Sequence, residues 1–193
     1  MLMPRFKFIG FVLIVSALLG AIPQHHAAAD AAGKLAEQAE AIGANIIFMR
    51  HALAPGFGDP AHFDIHDCTT QRNLDAEGQR QAVRTGVFLA QTGFGFDQIL
   101  SSRWCRCTRT AALRGLGAFT TFDGLNSFFD GHVSREETLA LLTDFLDNTP
   151  QQKTVLLVTH QVVISAITGI SPPSGGLVLY NHNTGQAARF SVQ

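Results

Sequence analysis

The sequence has no excess of charge of either sign and little cysteine. Fourteen Lys and Arg residues stand against fifteen Asp and Glu residues, so the formal net charge of the 193-residue chain is −1. Without a basic excess to neutralise a phosphate backbone, we expect no nucleic-acid partner. Three cysteines are too few for a small domain built on disulfides. The hydrophobic share of 46% is enough for a sizeable core, which excludes a mostly disordered chain.

The apolar run near the N-terminus is too short to span a membrane. It covers residues 9–22, which is 14 residues, whereas a spanning helix needs about 20. Arg5 and Lys7 precede it, and the small residues at 27–29 follow it, an order typical of a secretory signal peptide. We therefore predict a signal peptide over residues 1–29, a single mature domain over residues 30–193, no stable membrane span after cleavage, and a periplasmic or secreted location. An uncleaved N-terminal anchor is the alternative.

Export changes what the three cysteines are expected to do, because disulfides form and persist outside the cytosol. Cys105 and Cys107 are two positions apart, and on a helix their side chains would point about 200° apart, which disfavours a bond between them. We predict one disulfide between Cys68 and either Cys105 or Cys107, and one free thiol. Three reduced, buried thiols are the alternative.

Predicted strands and helices alternate along the mature chain. Apolar runs predict strands at residues 45–49, 96–100, 119–122 and 154–159, followed by a hairpin of 177–180 and 187–192. Helices are predicted at residues 34–41, 75–91, 103–114, 135–146 and 162–168. Asp75 and Ser134 are expected to cap the second and fourth of these helices. This alternation predicts an α/β fold, a three-layer sandwich with a mostly parallel central sheet and helices on both faces.

Three predicted strands are followed by residues suited to binding phosphate. Arg50 and His51 follow the first strand, Arg106 lies shortly after the second, and His160 follows the strand at 154–159. Ligands of open α/β sheets bind beyond the carboxyl ends of the strands, so these side chains are expected to converge. Guanidinium groups match phosphate oxygens, and a neutral histidine can carry a phosphoryl group on nitrogen. The sequence therefore predicts a phosphate site with a histidine nucleophile.

Four segments, in order, resemble the histidine phosphatase superfamily, which contains the cofactor-dependent phosphoglycerate mutases. Residues 48–52 read Phe-Met-Arg-His-Ala and are similar to the family's Arg-His-Gly signature, with Ala52 in place of the usual glycine. Residues 72–82 resemble its R-x-L-t-x-x-G-x-x-Q-A helix start. Residues 101–111 resemble its S-S-x-x-x-R-x-x-x-T-A segment, and residues 158–160 resemble its V-T-H strand end.

The resemblance implies a phosphoglycerate mutase-like fold of the mutase-like branch (branch 1) and a role for each matching residue. His51 would be the nucleophile that becomes phosphohistidine, and His160 would stabilise the phosphoryl oxygens. Arg50 and Arg106 would clamp the same oxygens. The implied activity is hydrolysis of a phosphate monoester in a small phosphorylated substrate, with no metal and no cofactor, because cationic side chains supply the positive charge. Nothing in the sequence indicates the oligomeric state.

The general acid is where the sequence departs from the family. The mutase-like branch has a Glu where residues 125–127 read Leu-Asn-Ser, and the phytase branch has an Asp where this chain has Gln161. Asp130, Asp123 and Asp67 are the remaining candidates. We choose Asp130, because it lies just past the third strand in an otherwise uncharged run. Since the usual Glu is missing, a non-catalytic phosphate- or sugar-phosphate-binding protein is the alternative.

The long loop at residues 52–73 is expected to form one wall of the pocket, because loops of that length in compact domains are usually functional. Phe57 and Phe63 would be its apolar surface. An alternation in the same loop could bind a metal ion: His62, Asp64, His66 and Cys68. No second cluster at ligand spacing supports that interpretation, so we predict no metal site.

Overall fold

The computed structural model describes the backbone of residues 23–190 and the side chains from Asp30 onward. The charged and apolar segments of the predicted signal peptide, residues 1–22, lie outside the described residues. Within residues 23–190, no helix is both long enough and apolar enough to cross a bilayer.

Strands and helices alternate as the sequence predicts. The strands are β1 (Ile46–Arg50), β2 (Gln98–Ser101), β3 (Thr120–Thr121), β4 (Val155–Thr159), β5 (Leu177–Tyr180) and β6 (Ala187–Phe190). The helices are α1 (Pro23–Ala41), α2 (Ala76–Gln91), α3 (Cys105–Leu113), α4 (Arg135–Asp147) and α5 (Gln161–Thr168). Two bounds differ clearly from the prediction. Helix α1 begins at Pro23 and not at Lys34, and β3 is only two residues long because its exposed threonines pair with β2 alone.

The sheet is mostly parallel, as expected for this alternation. Its strand order is β3-β2-β4-β1-β5-β6, in which β1 to β4 run parallel and β5 and β6 run antiparallel to their neighbours. In the β1–β4 pair, Arg50 lies opposite Thr159. The two strands therefore end side by side, and the residues that follow them emerge at the same edge.

Helices cover both faces of this sheet, so the predicted three-layer sandwich is confirmed. Side chains alternate along β1: Ile47 and Met49 pack with residues of α1, α2 and α3, whereas Ile46 and Phe48 pack with residues of α4 and α5. All four are fully buried. Burial on both faces explains why β1 reads as a continuous apolar run rather than an alternating one.

The two predicted helix caps are present. The Asp75 carboxylate accepts a hydrogen bond from the Gly78 amide at 2.7 Å, and the Ser134 hydroxyl accepts one from the Glu137 amide at 3.1 Å. Each side chain satisfies an amide of the first helical turn, which has no partner within its helix.

A disulfide joins the long loop to the start of α3. It links Cys68 to Cys105, one of the two predicted pairings, and leaves Cys107 as a buried free thiol. The closed loop spans 37 positions, which in the chain-entropy model corresponds to about 4 kcal/mol of stabilisation. Because Cys68 is bonded to sulfur, it offers no thiolate to the metal alternative considered above.

Candidate active site

The two candidate histidines lie side by side at the carboxyl edge of the sheet. His51 follows β1 and His160 follows β4, and their ring centroids are 5.4 Å apart in an edge-on arrangement. The His51 amide donates to the Thr159 carbonyl at 2.9 Å, which extends the parallel pairing by one residue. Both side chains are 3% exposed and line one cavity of about 490 Å³. The structure thus brings together residues that are 109 positions apart in the chain.

Burial keeps both imidazoles neutral. It lowers the pKa of His51 well below its usual value, and the positive charge of Arg106 lowers it further. Burial and Arg106 lower the pKa of His160 in the same way. The Nδ1 atom of His51 lies 2.8 Å from the Ala52 carbonyl oxygen, which can only accept, so Nδ1 carries the proton. Nε2 therefore keeps its lone pair, as a nucleophile requires.

His160 is held by a polar network behind the cavity. Its Nε2 lies 2.9 Å from the Ser102 hydroxyl, which is in turn 3.1 Å from the amide oxygen of Asn126. That oxygen also accepts from the Arg103 amide at 2.9 Å, so the network is tied to the backbone at the end of β2. These contacts fix the plane of the His160 ring, and the side chains of His160, Ser102 and Asn126 are all buried.

Three arginines converge on the same cavity. Arg50 ends β1, Arg106 lies in the first turn of α3, and Arg72 precedes α2. Burial lowers the pKa of Arg50 and of Arg72 from the ordinary value, and in both the neighbouring charge of Arg106 lowers it further. Three guanidinium groups in one cavity repel one another, so a bound anion would relieve an unfavourable arrangement.

Two of these arginines have N–H groups that donate to no protein acceptor among the described residues. Arg50 donates from Nη1 to the Pro172 carbonyl at 3.0 Å, and Arg106 donates from Nη1 to Asp59. The Nε atoms of both are buried and have no acceptor among the described residues. Since these Nε atoms are shielded from solvent, a ligand in the cavity would meet the terminal N–H groups of the two guanidiniums, which suit an oxyanion. Together with the two histidines, this arrangement fits a phosphoryl group.

Of the three acid candidates, Asp130 lines this cavity. Its carboxylate accepts from the Asp59 amide at 3.0 Å. Asp123 instead binds the Arg103 guanidinium and lies on a separate cavity. Asp67 is exposed and caps the 3-10 turn at Cys68–Thr70 by accepting from the Thr69 amide at 2.8 Å. Placement therefore favours Asp130, and its chemical role stays a prediction.

The long loop forms one wall of the cavity, but only one of its two candidate phenylalanines does so. Phe57 lines the cavity. Phe63 points elsewhere and stacks on Trp104 and His132, with ring centroids 5.0 and 4.2 Å apart. The expectation for Phe63 was wrong, because a stacked place between two rings buries more of its surface than a place at the cavity would.

Sequence reasoning missed two residues of the site. Arg72 holds the loop by donating from Nε to the Gly58 carbonyl at 2.8 Å and from Nη1 to the Ala54 carbonyl. Asp59 forms a buried ion pair with Arg106, with N–O distances of 2.8 and 3.1 Å, and accepts from the Trp104 indole at 2.9 Å. Arg72 opens the second family-like segment, a signal that pointed to it. Asp59 lies between Gly58 and Pro60, a sequence typical of an ordinary turn, so nothing in it indicated a role in the site.

The buried pair makes Asp59 the positioning group for Arg106. Burial raises the pKa of the Asp59 carboxyl, but the hydrogen bonds and charge of Arg106 outweigh it and hold that pKa below the usual value. The Asp59 side chain is 0% exposed and that of Arg106 is 4% exposed. A charge buried this far depends on its partner, so removal of either leaves an uncompensated ion.

Asp59→Asn is therefore expected to lower the free energy of unfolding by about 3 kcal/mol, because Arg106 keeps an acceptor but loses its counter-charge. Excess phosphate should restore part of this loss by supplying the charge. Urea unfolding with and without phosphate measures both effects. Asp123→Asn is the matched control: its pair with Arg103 is half-exposed, and its loss should cost less than about 1 kcal/mol. Equal losses in the two variants would contradict the positioning role.

Comparisons with known proteins bear on the fold. No protein-family model and no curated protein matches the sequence. Solved structures do match. A protein from Agrobacterium tumefaciens, assigned as the phosphohistidine phosphatase SixA, is 20% identical with a TM-score of 0.53, and the match covers 77% of this chain and 97% of that one. The protein histidine phosphatase SixA complexed with tungstate is 16% identical with a TM-score of 0.50, over 76% and 94% of the two chains.

A third structure has the same architecture. It is a phosphoserine phosphatase variant from Entamoeba histolytica in complex with phosphoserine, 17% identical with a TM-score of 0.50, and the match covers 76% of this chain and 94% of that one. At these identities the likeness shows the fold: the chain has the histidine phosphatase fold, the phosphoglycerate mutase-like fold that the four sequence segments imply.

Proposed function

We propose that this chain is a member of the histidine phosphatase superfamily and hydrolyses a phosphate monoester through a phosphohistidine on His51. One observation carries the proposal. Two buried, neutral histidines meet at adjacent strand ends, in a cavity that is also lined by Arg50, Arg72 and Arg106. The fold shared with solved phosphatases supports it.

The chemistry has two steps. The lone pair of His51 Nε2 attacks phosphorus, the bond from phosphorus to the ester oxygen breaks, and the Asp130 carboxyl gives its proton to that oxygen. Water then attacks the phosphorus of the phosphohistidine, and Asp130 takes a proton from that water. The nitrogen–phosphorus bond breaks, which releases phosphate. Arg50 and Arg106 hold the transferring oxygens. His160 joins them as an imidazolium, which takes a proton on Nδ1 from solvent when the phosphate dianion binds, because its Nε2–H already donates to the Ser102 hydroxyl. Phosphoryl transfer needs mainly such positioning and charge stabilisation, which these side chains supply.

A covalent trap tests the proposal. The protein is incubated with a labelled phosphate monoester and quenched in alkali, where a phosphoimidazole is stable, and the labelled peptide is identified. Label on the peptide that contains His51, together with phosphate release, is the expected result. Phosphate binding with neither label nor release would favour the alternative of a non-catalytic phosphate- or sugar-phosphate-binding protein.

Asp130→Asn tests the acid. The variant is expected to slow alkyl phosphates by about 10²–10⁴-fold, because their leaving oxygen needs a proton, and to slow an activated aryl phosphate much less. Steady-state rates on the two ester classes measure the difference. Asp67→Asn is the control. It removes a carboxylate of the long loop that does not line the cavity, so it should leave both rates unchanged. Equal losses on the two ester classes would move the role to another group.

Export of the protein is part of the proposal. The order of charged, apolar and small residues in positions 1–29 supports it, and the Cys68–Cys105 disulfide fits an oxidising compartment. Ala32, Leu35 and Ala39 of α1 are buried in the core, and a cut before Asp30 would leave all three in the mature chain. Mass-spectrometric sequencing of exported protein should find an N-terminus at or near Asp30. Retention of Met1 would contradict cleavage.

A further inference from the structure

Two phenylalanines stand at the mouth of the cavity that holds the histidines. Phe57 comes from the loop after β1 and is 88% exposed, and Phe129 comes from the segment after β3 and is 48% exposed. Their ring centroids are 5.1 Å apart and their planes meet at 84°. Both line the cavity of His51 and His160. A large aromatic side chain so exposed gains little from the fold itself.

The backbone holds Phe57 in that exposed place. Gly56 and Gly58 flank it with φ values of 98° and 65°, a conformation that L side chains rarely adopt. Arg72 donates to the carbonyls of Ala54 and Gly58, on either side of the ring. The side chain of Asp130 lies against the same turn, where it accepts from the Asp59 amide. A turn clamped at these points presents the ring toward the cavity mouth.

The rest of the mouth is also mostly apolar. Apart from Asp130, the exposed side chains of the lining are apolar: Leu53, Pro55, Phe57 and Phe129. Three polar residues of the lining are half-buried or buried: Gln161, Ser174 and Ser127. The cationic side chains of the lining are the three arginines, which surround the place of the phosphoryl group. A second acidic group on a substrate would therefore find no further cation in this lining. A volume of about 490 Å³ is in the range of sites that hold a small organic molecule, so the cavity has room for more than a phosphate.

We infer that the substrate is a phosphate monoester whose alcohol part carries an aromatic ring, which packs against Phe57 and Phe129. This inference rests on the proposed function, since it places the phosphoryl group beside His51. Aromatic rings prefer edge-to-face or offset contacts, and the near-perpendicular pair offers both an edge and a face to a third ring. The apolar mouth would select against a leaving group covered in hydroxyls, which needs hydrogen-bond partners once it leaves water.

Binding of inert phosphonates tests the inference without turnover. Phenylphosphonate and methylphosphonate carry the same anionic head, and their carbon–phosphorus bond does not break. Calorimetry should show that the protein binds phenylphosphonate about tenfold more tightly than methylphosphonate. In Phe57→Ala the ratio of the two affinities should fall close to one. Phe129→Ala should also reduce the preference for phenylphosphonate over methylphosphonate. Val87→Ala, which trims an exposed apolar side chain of α2 away from the cavity, is the control and should leave both affinities unchanged.

The outcomes separate this inference from the proposed function. Equal affinities for the two phosphonates, or tighter binding of a hydroxylated alkyl phosphonate than of phenylphosphonate, would overturn the aromatic substrate, while labelling of His51 would leave the phosphatase intact. A phenyl preference without any labelling of His51 or phosphate release would overturn the phosphatase and leave the aromatic mouth as a property of a binding protein.

Discussion

His51→Ala is expected to abolish both the covalent label and phosphate release. Nε2 of His51 holds a lone pair, because Nδ1 donates to the Ala52 carbonyl, whereas Nε2 of His160, the other imidazole of the cavity, contacts the Ser102 hydroxyl. The loss should reach about 10⁴-fold or more, the order of magnitude that follows removal of a covalent nucleophile. Single-turnover assays with a labelled ester measure both quantities.

His160→Ala provides the contrast. It removes a group that stabilises oxygens, so turnover should fall steeply while a slowly formed label on His51 remains detectable. His51→Gln keeps most of the side-chain volume and guards against a loss caused by a cavity in the fold. Circular dichroism should show all three variants folded, since the residues follow strands rather than lie within them. Phosphate release by His51→Ala at near the wild-type rate would reject the phosphohistidine mechanism.

Gly78→Ala is expected to be the most destabilising small substitution near the site. A Cβ at Gly78 would lie 1.9 Å from the Leu53 carbonyl oxygen and 2.9 Å from its carbon, so α2 would have to move away from the strand end that carries His51. Gln81 sits one turn later, where it accepts from the Leu53 amide at 2.8 Å and donates to the Ser174 carbonyl at 2.8 Å. The added methyl would disturb these contacts as well.

The free energy of unfolding should fall by about 2–4 kcal/mol, because overpacking against backbone cannot be relieved by a change of rotamer. Urea unfolding measures it. Gly33→Ala is the matched control: it lies in α1, where an added methyl group would meet no atom of the described residues within 4 Å, so it should stabilise the protein by about 0.5–1 kcal/mol. Gly78→Ala as stable as the wild type would show that α2 does not need this close approach.

The central sheet and the histidine pair could be predicted because they depend on local patterns and one general rule. Strands β1 and β4 are continuous apolar runs, and parallel strands end at a common edge, so His51 and His160 could be expected at one edge of the sheet. They are neighbours because β1 pairs with β4 in the sheet. The register that places Arg50 opposite Thr159 then sets their separation.

The loop could not be predicted in the same way. The importance of Asp59 comes from Arg106, 47 positions away, and no periodicity connects the two. Phe57 and Phe63 belong to the same loop, yet Phe63 stacks between rings while Phe57 lines the cavity. The choice between Cys105 and Cys107 likewise depends on where α3 begins: Cys105 is its first residue and faces the loop, whereas Cys107 faces the core. Such contacts are decided by tertiary packing.

The state of the cysteines makes the folded protein well suited to site-specific labelling. Two of them are joined to each other, and burial raises the pKa of Cys107 to about 12, so its thiol is protonated and shielded at neutral pH. Thiolate is the form that reacts with maleimides. A cysteine introduced at an exposed helix position, such as Val83→Cys on α2, would then be the reactive thiol to which a fluorophore or spin label attaches. No native cysteine would have to be removed first.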